Sequence, residues 1–182
     1  MDESLLITAA QRGDRDAMAA LYRKHRLQAY QTALIVLRDP HLADDLVQEA
    51  FIRAFREIGR CDPGRPFAPW LARIVINLCR NALRRRRLLP LALLDRQGAG
   101  DPDYAATEDR ADLWPILERL SHAHREVLML RYFHQFTEPE IAEILGLPLG
   151  TVKSRLHAAR QAVKSRMEAP DPGHGKELTP DG

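Results

Sequence analysis

Apolar side chains recur at three- and four-residue steps along most of this chain, the spacing of one face of an α-helix. Residues 4–12 make a short candidate helix. Residues 15–37 make a second, with Met18, Leu21, Tyr22, Leu27, Tyr30, Leu34 and Leu37 roughly in phase and Asp14 or Asp16 available to cap its start. Asp39-Pro40 ends that helix and opens the next, because proline suits a first helical turn. Residues 41–58 are amphipathic: Leu42, Leu46, Val47, Ala50, Phe51, Ala54, Phe55 and Ile58 share one face. Residues 59–66, rich in Gly and Pro, read as a loop. Residues 67–87 form a further helix with Leu71, Val75, Leu78 and Ala82 as its buried stripe, ending in Arg84-Arg85-Arg86-Arg87.

The pattern then lapses. Residues 88–108 hold two Pro, two Gly and four acidic residues with no sustained period, the marks of a linker. Leu88–Leu94 within it is apolar enough to dock on a neighbour. A second helical block follows. Pro115 sets a helix start near Trp114, and residues 123–134 read as a helix with Val127, Leu128, Leu130 and Tyr132 available for burial. Residues 137–145 and 149–166 give two more, separated by Gly146-Leu147-Pro148. The Pro/Gly-rich tail reads as disordered. The expected class is all-α: two small helical domains joined by a flexible linker.

Composition narrows the choice. Apolar residues make up 45%, enough for a core, whereas aromatics are only 6% and no alternating β-branched run is present. No apolar run approaches the roughly 20 residues needed to span a bilayer, so no membrane insertion is expected. The start Met1-Asp2-Glu3 is acidic and unlike a secretory signal. A cytoplasmic protein follows as the expectation. Cys61 and Cys79 lack His partners at zinc spacing, so no metal and no other cofactor is expected. A Cys61–Cys79 redox pair is the alternative use for them.

Charge changes the picture more than composition does. The whole-chain net charge is +2, but residues 53–90 hold ten basic and two acidic residues, and residues 91–130 hold four and eight. One segment is strongly cationic and points to a polyanion. Within it, Trp70, Arg73, Asn77, Arg80, Asn81 and Arg84 recur along one helical face. Guanidiniums bind phosphate, amides read base edges and indole stacks on an unpaired base, a combination that suits single-stranded or melting DNA. A solvated charge face with a core Trp is the plainer reading of the same residues.

Two further surfaces carry chemistry. On helix 41–58, Asp44, Asp45, Gln48, Glu49 and Ile52 face outward, and an apolar residue among acids marks a protein-binding face for a basic helical partner. The stretch FTEPEIAEILGLPLGTVKSRLHAAR has the grammar of a helix-turn-helix. Thr137 and Glu140 have capping-box spacing. Ile141, Ala142 and Leu145 line the inner face, Gly146 makes the turn and Leu147 plugs the gap. Thr151 begins the second helix, Val152 and Leu156 point inward, and Lys153, Ser154, Arg155, His157 and Arg160 remain for the DNA major groove.

Together these pieces resemble bacterial RNA polymerase sigma factors of the extracytoplasmic-function type, the smallest branch of the sigma-70 family. DDLVQEAFIRAFR and PFAPWLARIVINLCRNALRRRR resemble its region two, here residues 8–90. REVLMLRYFHQFTEPEIAEILGLPLGTVKSRLHAAR resembles region four, here 112–167, with an acidic linker at 91–111 and a tail at 168–182. The resemblance implies a promoter-specificity subunit that binds core RNA polymerase, without catalytic residues of its own. It implies that Asp44, Asp45, Gln48, Glu49 and Ile52 grip the clamp helices of the beta-prime subunit, and that region four docks on the beta flap. Loop 61–68 would capture a flipped base of the minus-ten element. Arg65, Phe67, Trp70, Arg73, Asn77, Arg80, Asn81 and Arg84 would bind and melt that element. Thr151, Lys153, Ser154, Arg155, His157 and Arg160 would read the minus-thirty-five element. An anti-sigma factor would be the regulator. The chain departs from the family at Ala158, where members often carry Arg, at Asn81-Ala82, and at Pro66 and Pro69, which stiffen the capture loop.

Two rival classes bear on these residues. A stand-alone helix-turn-helix regulator leaves the acidic stripe and the Trp/Asn/Arg face without a role. A small helical hydrolase would need convergent acids and histidines, yet His122 and His124 stand i, i+2 on different helix faces.

Overall fold

The computed structural model describes residues 2–88 and 119–168; the expected linker, the docking segment Leu88–Leu94 beyond its first residue, the helix start near Trp114 and the tail lie outside them. Among the described residues every regular element is helical, and no helix is long and apolar enough to cross a membrane.

Helix starts follow local chemistry. α1 spans Glu3–Gln11, with the Asp2 carboxylate accepting the Ser4 N–H. Gly13 makes the turn to α2 with φ of 88°, a conformation that costs glycine least. α2 spans Arg15–Leu37, and Asp14 is the cap, its carboxylate accepting the N–H groups of Asp16 and Ala17. α3 spans Pro40–Arg56, with the Asp39 carboxylate accepting the Leu42 N–H at 3.0 Å and proline in the first turn. It stops short of the expected Ile58, because the Glu57 N–H divides between the carbonyls of Arg53 and Ala54 and tightens the chain into the 3-10 turn Ile58–Arg60. α4 spans Phe67–Leu88.

These four helices bury one core. Ile7, Leu21, Val47, Phe67, Val75 and Ile76 are almost wholly removed from water. Ala33, Ala43, Ala50 and Ala54 are each 0% exposed, and their small side chains let helices approach closely. Tyr22 meets Phe51 nearly edge-on, ring centroids 4.7 Å apart. The expected stripe on α4 was half of the story: Ala72, Ile76 and Cys79 are buried as well. Leu27, expected in the buried stripe of α2, is 62% exposed, because the covered face runs through Leu21, His25, Ala29 and Thr32 instead.

The second unit is smaller. α5 spans His122–Leu128 and runs into a π-helical turn, Met129–Phe133. α6 spans Glu138–Leu145, and α7 spans Leu149–Glu168. Thr137 and Glu140 form the expected capping box, and Gly146 closes α6 in the left-handed conformation (φ 65°). Val127, Leu130, Ile141, Ile144, Val152 and Leu156 form its core. The π turn adds residues to one turn and rotates the phase behind it. Tyr132, expected to be buried, is thereby 55% exposed, while His134 turns inward.

The units pack against each other, α6 on α4, and α5 with the π turn on α2. Polar links span the seam as well, these among them. Arg65 meets Glu143 through two N–H···O contacts of 2.6 and 3.3 Å. Arg80 donates to Glu126 at 2.9 Å and to the Leu145 carbonyl at 3.1 Å. Thr32 Oγ1 lies 3.0 Å from His134 Nε2.

Candidate nucleic-acid interface

Three surfaces hold the residues singled out in the sequence. The first is the outer face of α3. Ala43, Val47, Ala50, Phe51 and Ala54 bury its inner face, which leaves Asp45, Gln48, Glu49 and Ile52 exposed, Ile52 at 61%. Asp44 is partly engaged: Arg26 of α2 donates to it at 3.3 Å and the Gln48 amide at 3.2 Å. Among the described residues no ion pair engages Asp45 or Glu49.

The second surface is α4 with the loop before it. Arg65, Arg73, Asn77 and Arg84 are exposed. Asn81 is half-buried and accepts from Arg84 at 3.2 Å. Trp70, also half-buried, lines a small cleft of about 40 Å³ whose opposite wall is Glu140, Glu143 and Ile144 of α6. Two expectations need correction. Phe67 is 0% exposed, its ring packed 5.2 Å from His25 and 5.6 Å from Trp70. It anchors the core and presents no face to a base. Arg80 is not a free DNA contact here: Glu126 and the Leu145 carbonyl hold its guanidinium.

The third surface is α7. Val152, Leu156 and Ala159 are buried, so Lys153, Ser154, His157 and Arg160 stand exposed, with Thr151 and Arg155 half-buried beside them. The Ser154 hydroxyl donates to the Thr151 carbonyl at 3.0 Å, a bond within the helix that leaves its oxygen able to accept. Ala158 is exposed on the same side, where a longer side chain would reach outward.

Electrostatics at the seam favour charge. The Arg65 hydrogen bond holds the Glu143 carboxyl below its ordinary range and Glu143 pushes Arg65 up, each partner stabilising the other's ionised form. Both are exposed, so the pair is worth little on its own. Glu126 is 3% exposed and its second oxygen has no hydrogen-bond partner, so its pairing with Arg80 matters more. Burial pushes His134 down to about 4. Thr32 Oγ1 donates its one proton to the Gln28 carbonyl at 2.9 Å, so it accepts from His134, which is the neutral Nε2–H tautomer.

The cysteines are quiet. Both are free and buried. Burial pushes the Cys61 thiol up to about 11 and the Cys79 thiol up to about 12, far from a reactive thiolate at neutral pH. Among the described residues no group of three His, Cys, Asp or Glu side chains could hold a metal ion.

Arg65 and Arg80 stand out in the sequence, but their partners at the seam do not. Thr32 and His134 are 102 positions apart, and Arg65 and Glu143 are 78 apart. Glu3 and Gln11, which carry no motif, both reach the ends of the loop before α4.

A helical bundle with a cationic flank, packed on a helix-turn-helix, defines a bipartite DNA-binding protein. Family comparison carries this further. Residues 21–88 match the Sigma-70 region 2 model and residues 110–163 the Sigma-70 region 4 model. The chain is 32% identical over 178 residues to the ECF RNA polymerase sigma factor SigW of Bacillus subtilis (strain 168), covering 88% of this chain and 94% of that one. Its fold is similar to CnrH, solved in complex with the cytosolic domain of CnrY, at TM-score 0.71 and 27% identity, covering 94% of this chain and 100% of that one. It is also similar to the sigma factor RpoE of Bartonella quintana, solved with the anti-sigma factor NepR, at TM-score 0.69 and 23% identity, covering 84% and 99%. The chain belongs to the ECF sigma factors of the sigma-70 family, and is a transcription initiation factor.

Proposed function

We propose that this sigma factor binds core RNA polymerase through the exposed stripe of α3 and carries promoter DNA on α4 and α7. Asp45, Glu49 and Ile52 meet the beta-prime clamp helices, with Asp44 and Gln48 at the edge of the contact. The unit of α5 to α7 docks on the beta flap. Lys153, Ser154, Arg155, His157 and Arg160 enter the major groove at the minus-thirty-five element, with Thr151 at the helix start. Arg65, Trp70, Arg73, Asn77, Asn81 and Arg84 take the displaced strand of the minus-ten element, joined by Arg80 once it leaves Glu126. Such a protein does its work by binding rather than by catalysis, in the cytoplasm. The domain limits we assign are 8–90 and 112–167.

The observation that supports this reading is the simultaneous exposure of Arg65, Arg73, Asn77 and Arg84 along α4 and of Lys153, Ser154, His157 and Arg160 along α7. A guanidinium fork donates to phosphate and to carboxylate with the same geometry. Exchange of Glu143 and Glu126 for DNA phosphates therefore replaces each hydrogen bond with one of the same kind. An anti-sigma factor as regulator is supported by the similar chain CnrH, solved with a second polypeptide. Run-off transcription with added core polymerase tests the function: initiation at a subset of promoters is expected, and no product at any promoter would refute it.

A further inference from the structure

α1 lies outside the stretch matched by the region 2 model, which starts at residue 21. Its apolar face packs on the bundle through Leu6, Ile7 and Ala10. Its two polar ends do something else. Near the start, one oxygen of Glu3 accepts the Phe67 N–H at 2.8 Å, meeting a donor left unpaired at the first turn of α4. The other oxygen lies 2.9 Å from His25 Nε2 and also pairs with Lys24. At the far end the Gln11 amide donates to two carbonyls, Ile58 at 3.1 Å and Cys61 at 2.7 Å.

These bonds fall on the two ends of one loop. Cys61 and Phe67 are buried, while Asp62, Gly64, Arg65 and Pro66 between them are exposed. The tip holds its own shape: Asp62 accepts the Gly64 N–H through its side chain at 2.8 Å and the Arg65 N–H through its carbonyl at 3.0 Å. A nine-residue helix thus fixes where the loop begins and where it ends. The loop leads directly into Trp70 and Arg73. Burial opposes the charge on Glu3, but its hydrogen bonds from Lys24, Phe67 and His25 outweigh that and hold the carboxyl below its ordinary range.

We propose that Glu3 and Gln11 are positioning residues for promoter-strand capture: α1 acts as a splint that sets loop 62–66 against α4, and so sets which base the loop accepts. This rests on the reading of that loop as a DNA contact. A pocket for an unstacked base discriminates only when its walls are held before the base arrives. Cys61 and Phe67 seat the two ends of the loop in the core, and α1 adds a directional hydrogen bond to the backbone at each end, from Gln11 to the Cys61 carbonyl and from the Phe67 N–H to Glu3.

The test uses holoenzyme reconstituted from the full chain and core polymerase, with non-template single strands randomised across the minus-ten element. Bound strands are sequenced for wild type, Gln11→Ala, Glu3→Ala and Glu3→Gln. Gln11→Ala and Glu3→Ala are expected to flatten the base preference at one position by about fivefold, the scale of one or two ordinary hydrogen bonds. Core affinity and binding to duplex minus-thirty-five DNA should stay within about twofold, since neither residue lies on those faces. Glu3→Gln keeps an acceptor for Phe67 and should retain most of the preference. Preferences equal to wild type in both alanine variants would overturn the proposal. So would a loss of core affinity in parallel with base preference, which would make α1 merely structural. A wild-type holoenzyme with no base preference anywhere would overturn the promoter-strand reading itself, and this proposal with it.

Discussion

Phe67 and Trp70 stand three residues apart at the start of α4, yet their environments divide them. Phe67 has no exposed surface and touches His25, whereas Trp70 borders the cleft beneath α6. An aromatic residue in a cationic sequence reads as a base-stacking group, but the ring serves whichever surface the backbone offers it. At position 67 the backbone N–H is taken by Glu3 of α1, and the ring lies inward against His25. Phe67→Ala is therefore expected to lower folding stability by about 3–5 kcal/mol, the usual cost of removing a core aromatic. Its loss of DNA binding should follow the unfolded fraction alone. Urea denaturation checks this: an unchanged midpoint would return Phe67 to the DNA face.

At the scale of elements, α3 shows how one helix serves two masters. Its alanines and Phe51 fit the bundle, and its opposite face leaves Asp45, Glu49 and Ile52 exposed. Replacing Asp45 and Glu49 with Arg should leave stability within about 0.5 kcal/mol, because both are exposed. Against a basic helix it turns attraction into repulsion, costing several kcal/mol of binding. Equilibrium titration with core polymerase should show binding lost while circular dichroism and melting stay unchanged; retained affinity would contradict the assignment. α7 makes the parallel case for DNA. Arg155→Ala should weaken minus-thirty-five recognition by roughly 1–3 kcal/mol if the guanidinium is bidentate on a base, and a gel-shift series over mutated sites separates that from an even loss through phosphate contact. Both helices were legible in the sequence because their signals are local. Asp39-Pro40 fixes the start of α3, and the Thr137–Glu140 box and Gly146 fix the start and stop of α6, so that α7 begins just beyond. The exposure of Leu27 and Tyr132 is not local in this sense. What covers a side chain depends on which helices arrive from elsewhere, and on a π turn that no periodicity announces. The links between Arg80 and Glu126, and between Thr32 and His134, join residues far apart in sequence and could be seen only in the fold.

For the whole molecule, the seam that covers Trp70 is itself titratable. His134 is neutral and buried against Thr32, with its proton affinity pushed down to about 4, against roughly 6.5 for a solvated imidazole. Burial also lowers His122, although Glu126 beside it pulls the other way and Arg125 and Arg80 oppose protonation. A separated pair of units binds a proton on His134 that the closed pair refuses, so the packing is fully stable above about 6.5 and loses stability as pH falls towards 4. The limit is about 3 kcal/mol for a full shift of this size, enough to compete with the exposed Arg65–Glu143 pair. Glu143→Arg combined with Glu126→Gln removes the acidic partners of both arginines, so the units should part at a higher pH than in wild type. Proton-detected titration of the histidine rings reads this directly. In wild type the His134 resonance should stay neutral down to about pH 5, and in the double variant its midpoint should move up towards 6.5. The same variant, free of polymerase, should bind minus-ten single strands more tightly than wild type, because Arg65, Trp70 and Arg80 are no longer engaged by α5 and α6. Unchanged His134 titration together with unchanged DNA binding would mean that apolar packing alone holds the two units closed.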